Sequence, residues 1–276
     1  MKKIRMIASD LDGTLLTETK EITEYTRRVL MRAAEEGIMF VPATGRAFTS
    51  IPNEVLSLPG VKYVITSNGA AVYSVSEKKR IYECLLEPDS VERILDIPVG
   101  KEVALEVFVE GVPYTERTYW ENPRAYGATD FGEGYVRRTR KIAKDIRTFM
   151  KENRYHLDSI DFVCATPEAK KEVRNKLEKI TNIYITSSIP HLLEISHKNG
   201  GKGKTLAYLA EKEGILPEEI MAFGDGDNDM EMLQLAALGY AVENASDGCK
   251  KAAGKITESN EKEGVAKAII KILKKF

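Results

Sequence analysis

Apolar residues along the chain recur with two periods, and the two alternate. Ile4, Met6, Ile7 and Ala8 form a short apolar run that stops at Ser9 and Asp10, with Gly13 close behind. That pattern predicts a buried strand ending in a tight turn. In EITEYTRRVLMRAAEEG, Ile22, Tyr25, Val29, Leu30 and Ala33 fall at helical spacing and Gly37 supplies the stop. IMFVPATGR reads as a second strand ending at Thr44-Gly45-Arg46, followed by a helix-like stretch to about Leu56, and VKYVITSNGA repeats strand and turn. The pattern returns in the last part of the chain: a helix from about Gly203 to Glu213, strand EIMAFGD, helix NDMEMLQLA, strand GYAV and a final helix. Alternation of this kind predicts an α/β fold, a doubly wound and mostly parallel sheet with helices on both faces.

The middle breaks the pattern. From about Tyr82 to Pro190 the sequence reads as a hairpin (VALEVFVEGVPYTE), a loop with aromatic residues, and then strand, helix and strand. This predicts an α+β unit, residues 83–190, inserted between two parts of one α/β domain, residues 1–82 and 191–276. Trp120, Tyr114, Tyr119 and Tyr126 are expected to pack together rather than line a pocket. The lysine-rich end places Val265, Ile269, Leu273 and Phe276 near one helical face, and a helix packed on the sheet is expected there rather than one lying on a membrane.

Bulk properties narrow the partners. A length of 276 residues suits about two domains, and 43% hydrophobic with 30% charged residues suits a globular chain with a sizeable core. A formal net charge of −1 gives no field favouring nucleic acid or anionic membrane. Cys84, Cys164 and Cys249 lie far apart with no CxxC, against both a disulfide framework and a zinc site. MKKIR leads into an apolar run too short for a signal-peptide core, so a cytoplasmic protein is expected, monomeric or homodimeric.

Two acidic clusters carry the candidate chemistry. Asp10 and Asp12 stand two residues apart at a strand end, where like charges cost free energy unless something opposes them. Asp225, Asp227 and Asp229 follow a second apolar strand in FGDGDNDMEML. An EF-hand loop starting at Asp225 fails, because Met230 and Ala236 stand where Gly and Glu are required. GGKGKT fails as a phosphate-binding P-loop, because Lys198 occupies the place of the first glycine. In an open parallel sheet ligands bind beyond the carboxyl ends of the strands. Asp10, Thr44, Asn68 and Asp225 each follow such a strand, so the fold can gather them. Several carboxylates there need a hard cation, and Mg²⁺ suits carboxylates plus substrate phosphate oxygens. With Lys202 opening a helix, the set describes a phosphoryl-transfer site.

The four blocks DLDGT, ATGR, the lysine-bearing GGKGK and GDGDND, in this order, resemble the haloacid dehalogenase (HAD) superfamily, and more narrowly its Cof-type phosphatases with a large α/β cap. The resemblance implies a Rossmann-like core, with Asp10 as nucleophile and Asp12 as general acid–base. It implies Mg²⁺ on the Asp10 carboxylate, the Asp12 backbone carbonyl and Asp225. It also implies that the Leu11 N–H, Thr44 with Gly45, Lys202 and Asn228 hold phosphoryl oxygens. Asp229 either orients Lys202 or a metal-bound water, or serves as an acid in a helix first turn. Arg46 either reaches a substrate anion or pairs on the surface. Asp227 is expected to cap a helix, and His156, His191 and His197 to be structural. The expected activity is hydrolysis of a small phosphorylated metabolite, with a phosphomutase or a non-catalytic binding module as rivals.

Overall fold

The computed structural model describes residues 2–273; Phe276, expected on the apolar face of the last helix, lies outside them. The chain divides into two compact units. One comprises Met1–Gly45, Ile51–Tyr82 and Gly201–Phe276, and the other Arg46–Ser50 and Glu83–Gly200.

The first unit is built on a five-stranded sheet in the order Lys255–Ile256, Leu238–Ala241, Ile220–Gly224, Met6–Ser9, Met39–Pro42. Every pairing is parallel. Met6–Ser9 is buried along its whole length, which is why Met6, Ile7 and Ala8 are all apolar. Isolated parallel bridges from Phe40 to Val61 and from Ala43 to Ile65 bring a further strand, Tyr63–Thr66, alongside. The doubly wound reading holds. Helix Glu24–Glu35 starts at Thr23, whose side chain accepts the Thr26 N–H, and buries Thr26, Val29, Leu30 and Ala33. A hydroxyl cap of this kind contributes about 1 kcal/mol. Gly264–Ile269 packs against that helix, and Lys202–Lys212 against Met230–Leu235. Among the described residues no helix is long and apolar enough to cross a membrane.

The second unit, the insert, carries a six-stranded sheet in the order Ile183–Thr186, Leu192–His197, Leu157–Cys164, Val103–Val109, Val112–Glu116, Lys141–Ala143. All its pairs are antiparallel except the last. Leu105, Val107, Ile160, Phe162, Leu193 and Ile195 join one apolar core with Val91, Met150 and Val173 from the helices Pro88–Leu95, Ile146–Glu152 and Pro167–Leu177.

Three features differ from the expectation. Leu192–His197 pairs with Leu157–Cys164 of the insert, so the chain leaves the insert after Gly200 and not at 190. The aromatic stretch is not a loop: it forms the helices Arg117–Glu121 and Asp130–Thr139. The segment Arg46–Ser50 groups with the insert, since the Thr49 N–H and hydroxyl both donate to the Gly111 carbonyl at 3.1 Å. Tyr119, Trp120 and Tyr126 pack together as expected, whereas Tyr114 joins the larger core of the insert. Tyr119 meets Tyr126 edge to face at 5.4 Å, and Tyr114 lies 4.4 Å from Phe149.

Candidate active site

Four strand ends of the first unit carry the chemistry. Asp10 follows Met6–Ser9, Thr44 follows Met39–Pro42, Asn68 follows Tyr63–Thr66, and Asp225 follows Ile220–Gly224. Two glycines let these loops meet. Gly13 turns with φ +86°, and a Cβ there would lie 2.6 Å from Asp225 Oδ2. At Gly69, φ is +96° and a Cβ would stand 2.4 Å from the Gly201 carbonyl oxygen. A side chain at either place would push the loops apart. Thr205 closes the second contact by donating to the Gly69 carbonyl at 2.7 Å.

Lys202 is the centre of the arrangement. Its ammonium is fully buried and lies 2.6 Å from Asp10 Oδ1 and 2.7 Å from Asp229 Oδ1. Removing a lone charge from water costs several kcal/mol even after relaxation. Here burial works against the ammonium, but the two carboxylates outweigh it and hold the pKa of Lys202 above its ordinary value. The other oxygen of Asp229 accepts the N–H groups of Asp225 and Gly226, both at 3.0 Å. With both oxygens engaged, Asp229 orients Lys202 and shapes the loop bearing Asp225.

Asp10 and Asp225 are left facing each other. One oxygen of Asp225 accepts the Thr14 hydroxyl at 2.7 Å, and the carboxyls of Asp225 and Asp10 come within hydrogen-bonding reach of each other. Burial pushes Asp10 well above the carboxylate range despite Lys202, with Asp229, Asp225 and Asp12 adding to the rise. Burial and then Asp229 push Asp225 up to about 6. Two acids in contact need a shared proton or a cation. Oxygens of Asp10, Asp225 and Asp229 lie within 4.8 Å of one another, a donor set that fits a hard divalent ion.

The remaining predicted residues fall into three groups. Asn68, at φ +54°, accepts the Asn228 side-chain amide at 2.9 Å, so the third and fourth loops are tied together. Thr44 is buried, and the N–H groups of Leu11 and Gly45 donate to no described residue. Asp12 stands apart: its carboxylate is 38% exposed and 3.1 Å from Lys20. Asp227 accepts the Ser246 hydroxyl at 3.0 Å, and Lys204 is exposed on its helix. Arg46 groups with the insert, where its guanidinium lies 5.0 Å from the Tyr135 ring centre. Arg46 is buried, and not at the surface where one of its two expected roles would place it. The sequence reading passed over Thr14, although a hydroxyl directly after the Gly13 turn was a visible signal. It also passed over Ser67, whose buried hydroxyl has no partner among the described residues.

An open parallel sheet whose strand ends gather acids, a buried lysine and free amides defines a class of phosphoryl-transfer enzyme. The family model of haloacid dehalogenase-like hydrolases matches residues 7–269, and the chain belongs to that family. It is 29% identical over 266 residues to the 5-amino-6-(5-phospho-D-ribitylamino)uracil phosphatase YcsE of Bacillus subtilis, covering 96% of this chain and 94% of that one. Among solved structures, a haloacid dehalogenase-like hydrolase from B. subtilis is similar with a TM-score of 0.82 at 25% identity, covering 97% and 99% of the two chains. The HAD subclass IIB sugar phosphatase BT4131 is similar with a TM-score of 0.81 at 25% identity, covering 97% and 98%. The expected class, a phosphoric monoester hydrolase of this family, stands.

Proposed function

We propose that the chain is a Mg²⁺-dependent phosphatase of small phosphorylated metabolites, acting through an aspartyl-phosphate. The unequal setting of the two opening acids supports this reading. Asp10 is buried against Lys202, whereas Asp12, two positions on, is partly exposed and pairs with Lys20. One is set to attack, and the other can exchange a proton.

In this reading Asp10 attacks phosphorus while the bond to the leaving alcohol breaks and Asp12 gives that oxygen its proton. Asp12 then takes a proton from the water that cleaves the aspartyl-phosphate, which releases inorganic phosphate and restores Asp10. The Leu11 N–H, Thr44, Gly45, Lys202 and Asn228 hold phosphoryl oxygens and stabilise the charge that develops there. The Asp10 carboxylate, the Asp12 carbonyl and Asp225 are the groups that would hold Mg²⁺. When bound, the ion neutralises acids and phosphate together. The insert is the substrate-selecting part, since none of the groups named here belongs to it. The names of the relatives, a ribitylamino phosphate phosphatase and a sugar phosphatase, support a sugar phosphate or similar monoester as substrate.

Phosphate release from a panel of such esters tests the reading. Activity is expected to vanish with EDTA and return with Mg²⁺, and to need no bisphosphate activator, which separates hydrolysis from a mutase. Full turnover by rigorously metal-free protein would refute the metal assignment.

A further inference from the structure

One face of the insert sheet carries a row of acids. In register across neighbouring strands stand Thr186, Glu194, Asp161 and Glu106. Directly opposed residues on antiparallel strands share a face, with Cβ atoms about 4.5–5.5 Å apart. Glu106, Asp161 and Glu194 are therefore adjacent, and each is at least nine-tenths buried. Carboxylates so placed need cations or shared protons to match them.

The match is incomplete at the middle of the row. Arg140 forks onto Glu106 at 2.7 and 2.8 Å. Glu194 accepts the Ser188 N–H at 2.6 Å and lies within the field of Lys170. The Lys170 ammonium itself donates to the Ser187 hydroxyl and the Pro190 carbonyl, both at 2.7 Å. The Asp161 carboxylate accepts no hydrogen bond from any described residue. Burial, Glu194 and Glu106 push its carboxyl well above the usual range, with only Arg140 opposing them. His191 offers no compensation, since burial and Lys170 hold its pKa down despite Glu106 and leave the ring neutral at pH 7.

A second observation is independent of the acids. Thr186 Oγ1 and Ser196 Oγ are buried and have no hydrogen-bond partner among the described residues. Thr186 is the cross-strand partner of Glu194, and Ser196 follows Glu194 by two residues, so both side chains lie on the acidic face. Buried polar groups without partners are uncommon in native folds. Among the described residues the face thus presents one carboxyl without a bonded cation and, beside it, two hydroxyls without partners. A neutral hydroxylated ligand would supply only the donors. An ammonium group, with three donors and one charge, supplies both.

We propose that this face of the insert is a binding subsite for an ammonium-bearing small molecule, with Asp161 as its counter-ion and the Thr186 and Ser196 hydroxyls as further acceptors. Where the ammonium is carried by the phosphorylated substrate, the subsite rests on the phosphatase reading and narrows its substrates to phosphorylated amines. A free amine is the other source.

Calorimetric titration of the full chain, with metal chelated so that no ester is consumed, separates these. Glucosamine 6-phosphate is compared with glucose 6-phosphate, and glucosamine with glucose; each pair differs by ammonium against hydroxyl. At least tenfold tighter binding of the amino member is expected in one pair, falling to within twofold in Asp161→Asn. Thr186→Val and Ser196→Ala, which are milder changes, are expected to reduce the preference and serve if Asp161→Asn does not fold. A preference confined to the esters assigns the ammonium to the substrate, and one present in the plain sugars assigns it to a separate amine. No preference in either pair, or one that these variants leave intact, overturns the subsite. Failure of the phosphatase reading would show instead as no phosphate release from any ester, on which these binding ratios do not depend.

Discussion

Asp229 divides its carboxylate between Lys202 and the loop that holds Asp225. Oδ1 lies 2.7 Å from the Lys202 ammonium, and Oδ2 takes the two backbone N–H groups at 3.0 Å. The pair thus couples the start of one helix to the geometry of another strand end. Asp229→Ala is expected to destabilise the fold by about 3–5 kcal/mol, the cost of leaving a buried partner charge uncompensated. Lys202→Met should cost a similar amount. Because the two residues share one interaction, urea unfolding of the double variant should show a loss well below the sum. Strict additivity would mean that the contact contributes nothing.

The opening acids separate by kinetics. Asp10→Asn should abolish phosphate release, because no nucleophile remains. Asp12→Asn should retain phosphate and metal binding while slowing turnover roughly 10²–10⁴-fold. Mass spectrometry must confirm that the asparagine at position 10 has not deamidated. Near-normal turnover by intact Asp10→Asn would exclude the covalent route.

These assignments were legible in the sequence for a physical reason. A carboxylate after a buried strand has one place to go, and parallel strand ends lie along one edge, so Asp10, Thr44, Asn68 and Asp225 could be grouped from local patterns. The partner of Lys202 was left open, because whether Asp229 faces lysine or solvent depends on packing. HLLEISH was assigned to the wrong unit, since alternation marks a strand without naming the sheet that it joins. Glu106, Asp161 and Glu194 were likewise invisible as a row. Each is merely the polar residue of its own strand until register brings the three together.

Substrate choice should travel with the insert. Exchanging Glu83–Gly200, together with Arg46–Ser50, for the corresponding parts of another member of the family should change the ranking of phosphate esters. Dependence on Mg²⁺ and on Asp10 should persist. A chimera with an unchanged ranking would place selectivity in the loops of the first unit.

The cysteines should differ sharply in reactivity. Burial pushes the Cys164 thiol up to about 11 and the Cys249 thiol up to about 12. Since only the thiolate reacts, about one molecule in a thousand or fewer carries it at either site at pH 8. Cys84 is half-buried, with its sulfur 3.2 Å from His197 Nδ1. Iodoacetamide labelling of the native chain is expected at Cys84 alone, with the other two modified only in denaturant or at strongly alkaline pH. Labelling of Cys249 at the rate of Cys84 would show that its cover opens readily.

The central strand of the first unit waits for its neighbour. Met6–Ser9 pairs on one side with Met39–Pro42, but on the other with Ile220–Gly224, whose Phe223 stands 214 positions after its partner Ser9. A ribosome adding about 5–20 residues per second needs roughly 10–40 s to cover that gap. The insert, nearly continuous in sequence, is synthesised in full before then. A nascent chain therefore holds its opening acids for many seconds with neither Lys202 nor the second acidic loop in existence. On the roles proposed for these residues, hydrolysis is expected only once the last quarter is made.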